Sequence, residues 1–364
     1  RRTASLSAVS LAPFIEPERS STRQKLSGTA SYAAAGVAST AFTKAVAAAD
    51  YDNDGDVDLY VSNLGDGNVL YRNDGSRPFT DVSRAAGVAT SDRGFPAWFF
   101  DYDNDGFDDL FVSSYYQSVE ESARIYLRLP LNAPGMKLYR NLGDGTFSDV
   151  AGAVGLDKPW MPMGSNFGDI DNDGFLDIYL GTGNPSYGAL VPSVLLRNSE
   201  GRRFVDVTLA SGTGELHKGH GVAFADLDND GDQEIVFEVG GATPGDAHAF
   251  RLFENPGHGN DWLGLHLVGT KTNRAAIGAR ITVIVEDERG VRRAVHRTVN
   301  SGGSFGASPL QQHIGLGRGV RSVAEEIDCP ASGTRQGFAA VPRNQVLEIR
   351  ELPDRFVTLP RPPL

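Results

Sequence analysis

The sequence predicts an all-β protein: a β-propeller of four-stranded blades followed by a small C-terminal β domain. Three observations predict this fold. The 364 residues include 43 Gly and 19 Pro, a composition that favours many short strands and turns. An acidic loop recurs four times between short apolar runs, at a spacing of about 50 to 70 residues that is typical of propeller blades. The last hundred or so residues hold apolar and alternating runs separated by Gly-rich turns.

The four acidic loops begin at Asp50, Asp101, Asp169 and Asp226 and read DYDNDGDVD, DYDNDGFDD, DIDNDGFLD and DLDNDGDQE. All four fit the pattern D-x-[DN]-x-[DN]-G, in which oxygen side chains recur at every second residue and a glycine permits a tight turn. Carboxylates crowded in this way repel one another unless a cation lies between them. Calcium accepts six to eight oxygen ligands, so we expect the chain to bind about four Ca²⁺ ions that stabilise the blades.

Each loop is expected to supply side-chain oxygens from positions one, three, five and nine and the backbone carbonyl of position seven. The expected ligands are Asp50, Asp52, Asp54, Asp56 (carbonyl) and Asp58; Asp101, Asp103, Asp105, Phe107 (carbonyl) and Asp109; Asp169, Asp171, Asp173, Phe175 (carbonyl) and Asp177; Asp226, Asp228, Asp230, Asp232 (carbonyl) and Glu234. An EF-hand would place a Glu at position twelve, between two helices. Here position twelve is apolar and lies in a predicted strand, so the loops fit an EF-hand poorly.

Each loop lies in a longer unit with fixed internal spacing. A glycine stands fourteen residues before the first Asp, and a strand ending in Asn follows the loop: LYRN, LYRN, LLRN and LFEN. In the first three units a run of the type FxDV begins six residues after that Asn, at Phe79, Phe147 and Phe204. Each unit therefore supplies about four short strands. Since one blade cannot bury both of its faces, neighbouring blades must stack.

The unit resembles the FG-GAP/VCBS repeat of integrin α-like propellers, over roughly residues 36–258. Asp261-Trp262-Leu263, Ser301-Gly302-Gly303-Ser304, His313-Ile314-Gly315-Leu316-Gly317 and other motifs between 259 and 352 resemble the ASPIC/UnbV domain. Repeats followed by this domain form the layout of the cartilage acidic protein-like family. Residues 1–35 are expected to add part of a blade, and 353–364 a tail.

The resemblance leaves the number of blades open. Relatives usually carry more repeats, so the alternatives are a ring of four or five blades, a ring completed by C-terminal strands, or an open arc of a larger propeller. We expect closure with help from both termini. An open arc would expose strand edges, which invite pairing with another chain and hence oligomers.

Charge and composition restrict the partners and the compartment. Acidic residues outnumber basic ones by 46 to 34, which argues against nucleic acid. The single cysteine, Cys329, permits no intrachain disulfide, and its strand-like run before Pro330 predicts a buried, inert thiol. No apolar run reaches the length of a membrane span. Moderate calcium sites fill only where calcium is plentiful, so we expect a secreted, periplasmic or cell-surface protein.

A search for catalytic groups finds little. His217 and His220 are close in sequence but have no third metal ligand nearby. The insertion at 114–136 contains a predicted helix at 120–129 and three tyrosines, Tyr115, Tyr116 and Tyr126, that would either contact a ligand or pack against the blade. We therefore expect a non-catalytic binding or adhesion module for a protein or glycan. The alternative is a propeller enzyme, a lyase, dehydratase or cyclase acting on a sugar or secondary metabolite.

Overall fold

The structure is a computed structural model that describes residues 28–76, 78–90, 93–116, 118–183, 191–240, 248–352 and 355–360. The part of a blade expected within residues 1–35 therefore lies mostly outside the described residues, of which only helix α1 (Gly28–Ala35) belongs to that segment. No helix in the described ranges is long and apolar enough to cross a membrane.

Four antiparallel sheets follow one another along the chain, as the repeats predict. The first three have four strands each, connected in sequence order. Their strands are β1 (Thr43–Ala49), β2 (Asp58–Asn63), β3 (Val69–Arg72) and β4 (Thr80–Asp81); β5 (Gly94–Phe100), β6 (Asp109–Ser114), β7 (Lys137–Asn141) and β8 (Phe147–Asp149); β9 (Pro162–Gly168), β10 (Asp177–Thr182), β11 (Val194–Asn198) and β12 (Phe204–Asp206). Short helices α3 (Ala151–Val154) and α4 (Thr208–Ser211) lead from one blade to the next.

The fourth blade corrects the expectation of four strands in every unit. It has three: β13 (Gly219–Ala225), β14 (Glu234–Gly240) and β15 (His248–Phe253). The reason is visible in the sequence, because no FxDV run follows Asn255 and the chain passes directly into the second domain. Among the described residues β15 is therefore an edge strand, hydrogen-bonded to β14 on one side.

Adjacent blades bury apolar side chains between their facing surfaces. One apolar cluster joins blades 1 and 2, and a second, which includes Trp98 and Phe111, joins blades 2 and 3. A third cluster, with Tyr179 and Phe237, joins blades 3 and 4. Trp98 and Phe111 stack with ring centroids 4.1 Å apart. The packing therefore runs from blade to blade in chain order, as stacked repeats require.

The two ends of this array are open among the described residues. Val46 on β1 is 41% exposed, whereas the residues at the same repeat position in blades 2, 3 and 4 (Ala97, Ser165 and Val222) are buried. At the other end Leu252 on β15 is 60% exposed. The expected ring closure is thus not seen. Strands of the C-terminal domain do not complete a blade sheet, because they pair with each other.

The C-terminal domain is a sandwich of two four-stranded sheets, in the order β19-β16-β22-β23 and β18-β17-β20-β21. A single apolar core lies between them. Its strands are β16 (Asp261–Val268), β17 (Arg280–Asp287), β18 (Arg292–Thr298), β19 (Gln312–Gly317), β20 (Val320–Cys329), β21 (Thr334–Phe338), β22 (Val346–Arg350) and β23 (Phe356–Leu359). The apolar and alternating runs of the sequence at 262–268, 279–286, 293–299 and 345–351 correspond within two residues to strands β16, β17, β18 and β22. Part of the expected tail, β23, is an edge strand of the first sheet.

Two sequence-based expectations about single elements are confirmed. The insertion in blade 2 contains helix α2 (Val119–Leu127), which begins after the N-cap Ser118 and ends before Pro130. Its N-cap hydroxyl accepts a hydrogen bond from the backbone N–H of Glu121. Cys329 is buried, as expected for an inert thiol.

The loop at 300–308 of the C-terminal domain enters among the first strands of blades 2, 3 and 4. Ser304 exchanges two backbone hydrogen bonds with Ser165, both 3.1 Å, and its hydroxyl donates to the carbonyl of Ala97. Phe305 accepts a hydrogen bond from the backbone N–H of Val222. A Cβ at Gly303 or Gly306 would overlap blade backbone, which explains why this loop is rich in glycine.

Candidate metal centres

Each acidic loop connects the first and second strands of a blade, and its backbone is shaped by positions four and six. The asparagines at position four have positive φ angles of 55° to 67°, and the glycines at position six have φ angles of 90° to 102°. Asparagine tolerates the left-handed region better than most residues, and glycine adopts it freely. These two residue types therefore allow the loop to fold back on itself. They are Asn53, Asn104, Asn172 and Asn229, and Gly55, Gly106, Gly174 and Gly231.

All four loops bring carboxylates together. In the first three loops the aspartates of positions one, three and nine each place one oxygen within 4.8 Å of the others. In the fourth loop the corresponding group is formed by positions one, three and five. The groups are Asp50, Asp52 and Asp58; Asp101, Asp103 and Asp109; Asp169, Asp171 and Asp177; and Asp226, Asp228 and Asp230. Twelve of the predicted ligands therefore lie in compact oxygen clusters.

The carboxylate at position nine also holds the blade together. In the third loop Asp177 accepts hydrogen bonds from the backbone N–H groups of Ile170 (2.8 Å) and Asn198 (2.7 Å). Asp58 and Asp109 make the equivalent pairs of bonds in their own loops. A residue predicted only as a metal ligand thus also joins the loop to the third strand of its blade.

Position one is bonded to the turn that follows it. Asp169 accepts from the backbone N–H groups of Asp173 (3.0 Å) and Gly174 (2.9 Å). Asp101 accepts from the equivalent pair in the second loop, and Asp50 accepts from Gly55. These bonds close the loop around the cluster.

Position five lies outside the compact clusters of loops 1 to 3. There its side chain accepts a hydrogen bond from the backbone N–H of position seven, at 2.9 Å from Asp56 to Asp54 and 2.8 Å from Phe175 to Asp173. The equivalent bond in loop 2 joins Phe107 to Asp105, and that in loop 4 joins Asp232 to Asp230. The coordination expected from position five of these three loops and from the carbonyls of position seven stays a prediction.

The clustered carboxylates have oxygens that a bound cation would satisfy. Asp50, Asp52, Asp103 and Asp171 each have one buried carboxylate oxygen, Oδ1, without a hydrogen-bond partner. A buried oxygen without a partner is costly, and a bound cation would supply one. The donor set consists of carboxylates, which suits a hard ion such as Ca²⁺.

The pKa values agree with this fit. Burial raises the pKa of Asp58 and of Asp101 to about 8, and neighbouring aspartates add to the shift. Burial also raises the pKa of Asp109 and Asp177 well above the usual range. Without a cation these buried groups favour the protonated form, so a divalent ion would stabilise their ionised form.

The fourth loop differs from the other three. Its Asp228 and Asp230 are exposed, whereas all three clustered aspartates of the third loop are buried. Glu234 replaces Asp at position nine. One of its carboxylate oxygens accepts from the backbone N–H of Leu227 (2.7 Å), and the other is buried without a partner. Burial raises the pKa of Glu234 to about 7.

The arginine of the LYRN strand lies beside the metal loop of its own blade. Arg140 forms ion pairs with Asp103 (2.8 Å) and Asp105 (3.0 Å), and Arg197 lies 3.4 Å from Asp171. In the fourth blade this position is Glu254. The fourth loop therefore lacks the basic neighbour that partly neutralises loops 2 and 3.

The asparagine of the same strand links successive loops, a role that the sequence did not reveal. The side-chain amide of Asn141 donates to the carbonyl of Tyr51 in the preceding loop at 2.7 Å. Asn198 and Asn255 make the same bond to Tyr102 and Ile170. The recurrence of Asn at one place in every repeat was the available signal, but its partner in the neighbouring blade is visible only in the structure.

The C-terminal domain also contacts the loops. Gly315 donates its backbone N–H to Asp169 (3.0 Å), and His313 lies 2.7 Å from the side-chain oxygen of Asn172. Arg280 forms an ion pair with Asp50. Sequence reasoning placed no part of the second domain at the metal loops, because these contacts join residues more than 140 positions apart.

Comparisons with known proteins agree with this architecture. The FG-GAP-like repeat family matches residues 50–112 and 128–180, which include the first three loops, and the ASPIC and UnbV family matches residues 269–355. Cartilage acidic protein 1 of Mus musculus is 24% identical over 299 residues, which cover 80% of this chain and 42% of the mouse protein. The human cartilage acidic protein 1 matches with the same identity and coverage. The chain thus spans less than half the length of these relatives.

The relatives combine the same kinds of domain, and the resemblance expected from the sequence motifs is confirmed. The chain thus contains FG-GAP-like repeats, in blades of the propeller type, and a C-terminal region that matches the ASPIC and UnbV family.

Proposed function

We propose that this chain is an exported interaction module whose blades are stabilised by about four Ca²⁺ ions and which recognises a protein or a glycan. The observation that supports calcium most strongly is the set of buried, partnerless carboxylate oxygens within the clusters of loops 1 to 3. The residues that would hold the ions are the clustered aspartates, together with the remaining predicted ligands of each loop. Bound calcium would neutralise the acidic groups and fix the connection between the first two strands of each blade.

Export follows from the same chemistry. Calcium sites of moderate affinity are filled in extracellular fluids, where calcium is plentiful. The relatives named for cartilage, an extracellular tissue, support this compartment.

The test of calcium binding uses the full chain stripped of metal on a chelating resin. Calorimetric titration with Ca²⁺ should show uptake of about four equivalents, and titration with Mg²⁺ should show much weaker uptake, because magnesium requires a smaller octahedral site. The variant Asp171→Asn should lose about one equivalent. A stripped chain that takes up no Ca²⁺ would refute the proposal.

The insertion in blade 2 offers the surface for a ligand. Tyr115 stacks on Phe95 with centroids 4.6 Å apart, so it packs against the blade. Tyr126 meets the ring of Trp160 edge-on, with centroids 6.2 Å apart, but stays 53% exposed, while Tyr116 is 45% and Leu127 68% exposed. Exposed aromatic and apolar groups on one short element are typical of recognition sites.

This surface is tested with arrays of glycans and of extracellular proteins. The double variant Tyr126→Ser, Leu127→Ser should lose the ligands that the unchanged chain binds. Leu209→Ser is the matched control, because Leu209 is 92% exposed but lies on α4, outside the insertion. Equal loss in both variants, or in neither, would place the binding surface elsewhere.

A further inference from the structure

We propose that the C-terminal domain forms the outer shell of the metal loops, so that cation binding and the docking of this domain stabilise each other. The inference rests on the calcium binding proposed above. It assigns to the second domain a role in metal binding, and to the cation a role in holding the two domains together.

Two arginines of the C-terminal domain reach position one of separate loops. Arg280 pairs with the Oδ2 atom of Asp50 in loop 1. Arg297 lies 3.6 Å from Oδ2 of Asp169 in loop 3, and both of these side chains are almost fully buried. The same Oδ2 atom accepts the backbone N–H of Gly315 at 3.0 Å. The second domain therefore contacts the carboxylates that begin two of the metal loops.

Further contacts reach the loop backbone. Arg297 donates to the carbonyl of Gly174 (3.2 Å), and the N–H of Gly317 donates to the carbonyl of Asn172 (2.9 Å). In loop 2 the side-chain oxygen of Asn104 accepts the backbone N–H of His296 (3.0 Å). Both asparagines stand at position four with positive φ angles. The docking surface is therefore the folded loop conformation itself, which a bound cation would order.

The docked domain leaves the metal-facing oxygens free. Its contacts to Asp50 and Asp169 use Oδ2, whereas the buried partnerless oxygens are the Oδ1 atoms of Asp50, Asp52, Asp103 and Asp171. A cation and the C-terminal domain would then approach the clusters from different sides. Because they use different atoms, both can bind at once, and the ordered loop conformation that each of them favours would make their coupling positive.

The charges point in the same direction. In loop 1 five aspartates face two arginines, Arg72 and Arg280. Arg72 also pairs with Asp74, so loop 1 keeps an excess of acidic groups that one Ca²⁺ would partly neutralise. Less repulsion among the loop carboxylates favours the ordered loop to which the second domain docks.

The C-terminal domain and the metal loops pack so closely that the interface has no room for additional atoms. A Cβ on Gly315 would overlap both Asp169 and the backbone of Asn172, and a Cβ on Gly231 would overlap the ring of Trp262. Gly315 lies on β19, where the added methyl group would point at loop 3. A substitution there disturbs docking directly.

The experiment compares the full chain with Gly315→Ala. The matched control is Gly337→Ala, since Gly337 lies on β21 of the same domain and a Cβ there would meet nothing within 4 Å. Calorimetry measures Ca²⁺ binding, and hydrogen exchange measures protection of residues 292–317 with Ca²⁺ and after chelation. Where Gly315→Ala fails to fold, Arg280→Met tests the same coupling at loop 1, with Arg292→Met as the control for an exposed arginine.

We expect chelation to accelerate exchange in residues 292–317 of the unchanged chain by tenfold or more. Gly315→Ala should weaken the affinity of the site in loop 3 by about 5- to 150-fold, the usual range for coupled sites, and the control should not. Calcium binding with unchanged exchange and equal affinity in the variant overturns this inference and leaves the calcium proposal standing. A chain that binds no Ca²⁺ overturns both.

Discussion

Blades 3 and 4 carry the same loop signature but differ in what surrounds it. Blade 3 has four strands, neighbours on both faces and a loop with three buried carboxylates. Blade 4 has three strands, one covered face and a loop with two exposed aspartates. The burial of a metal loop therefore comes from its neighbours more than from its own sequence, as is general in stacked repeats.

The largest difference between the two blades should appear when position nine is removed. Asp177→Ala leaves the buried amides of Ile170 and Asn198 without an acceptor, which should cost about 4 kcal/mol in the free energy of unfolding. Glu234→Ala frees only the amide of Leu227 and should cost about 1 to 2 kcal/mol. Urea unfolding in calcium, followed by tryptophan fluorescence, measures both. Equal costs would contradict the comparison.

Truncation of an apolar residue on the third strand should also cost more stability in blade 3 than in blade 4. Leu195 on β11 is 4% exposed, and Leu252 at the same place on β15 is 60% exposed. Leu195→Ala should destabilise the chain by about 3 kcal/mol, because it opens a cavity between blades. Leu252→Ala should change stability by no more than about 0.5 kcal/mol. A large loss in Leu252→Ala would mean that another element covers β15 in solution.

Removing calcium should make stability depend on pH, chiefly through loops 1 to 3. Their buried carboxyls have a raised pKa in the folded state, about 8 for Asp58 and Asp101 and about 7 for Asp169. The folded chain without metal keeps protons that the unfolded chain has released, so its stability should fall as the pH rises from about 4 to about 8. In calcium this slope should be much smaller. Melting temperatures of stripped and loaded protein across this range test it.

One residue outside the loops should make stability depend on pH both with and without calcium, and it therefore serves as the control. Glu325 on β20 is buried without a partner for either oxygen, and burial raises its pKa to about 8. Glu325→Met should stabilise the chain at pH 7.5 by about 2 kcal/mol, since the folded state no longer needs to hold a buried carboxyl. The calcium-dependent part of the slope should be unchanged. If Glu325→Met abolishes that part too, the loops do not produce it.

The smallest effect on stability is expected from the exposed edge of blade 4. Phe250, 76% exposed on β15, and its unpaired strand edge offer a route to self-association. Phe250→Lys should lower the apparent mass at high concentration in analytical ultracentrifugation and leave the melting temperature unchanged. A chain that stays monomeric at every concentration before substitution would show that this edge does not pair in solution.

Much of this architecture could be predicted from sequence, because it is local and repeated. The loop pattern gave the turn and its carboxylates, and the LYRN and FxDV runs gave the outer strands of blades 1 to 3. The contacts of Arg297 and Gly315 with loop 3 could not be predicted. They have no period and join distant positions, and a glycine or arginine carries no sign of its partner. The third and sixth residues of Ser301-Gly302-Gly303-Ser304-Phe305-Gly306 had a steric reason that only the neighbouring blades reveal.

The asparagine that bridges adjacent loops has a consequence for how the sites communicate. Asn141, Asn198 and Asn255 each bond to the loop just before their own, and Asn73 in the first blade donates to the carbonyl of Val57 in its own loop. Loss of one ion should therefore weaken cation binding most at the adjoining site. The effect should decrease at sites further along the array, as expected when each repeat contacts only its neighbours.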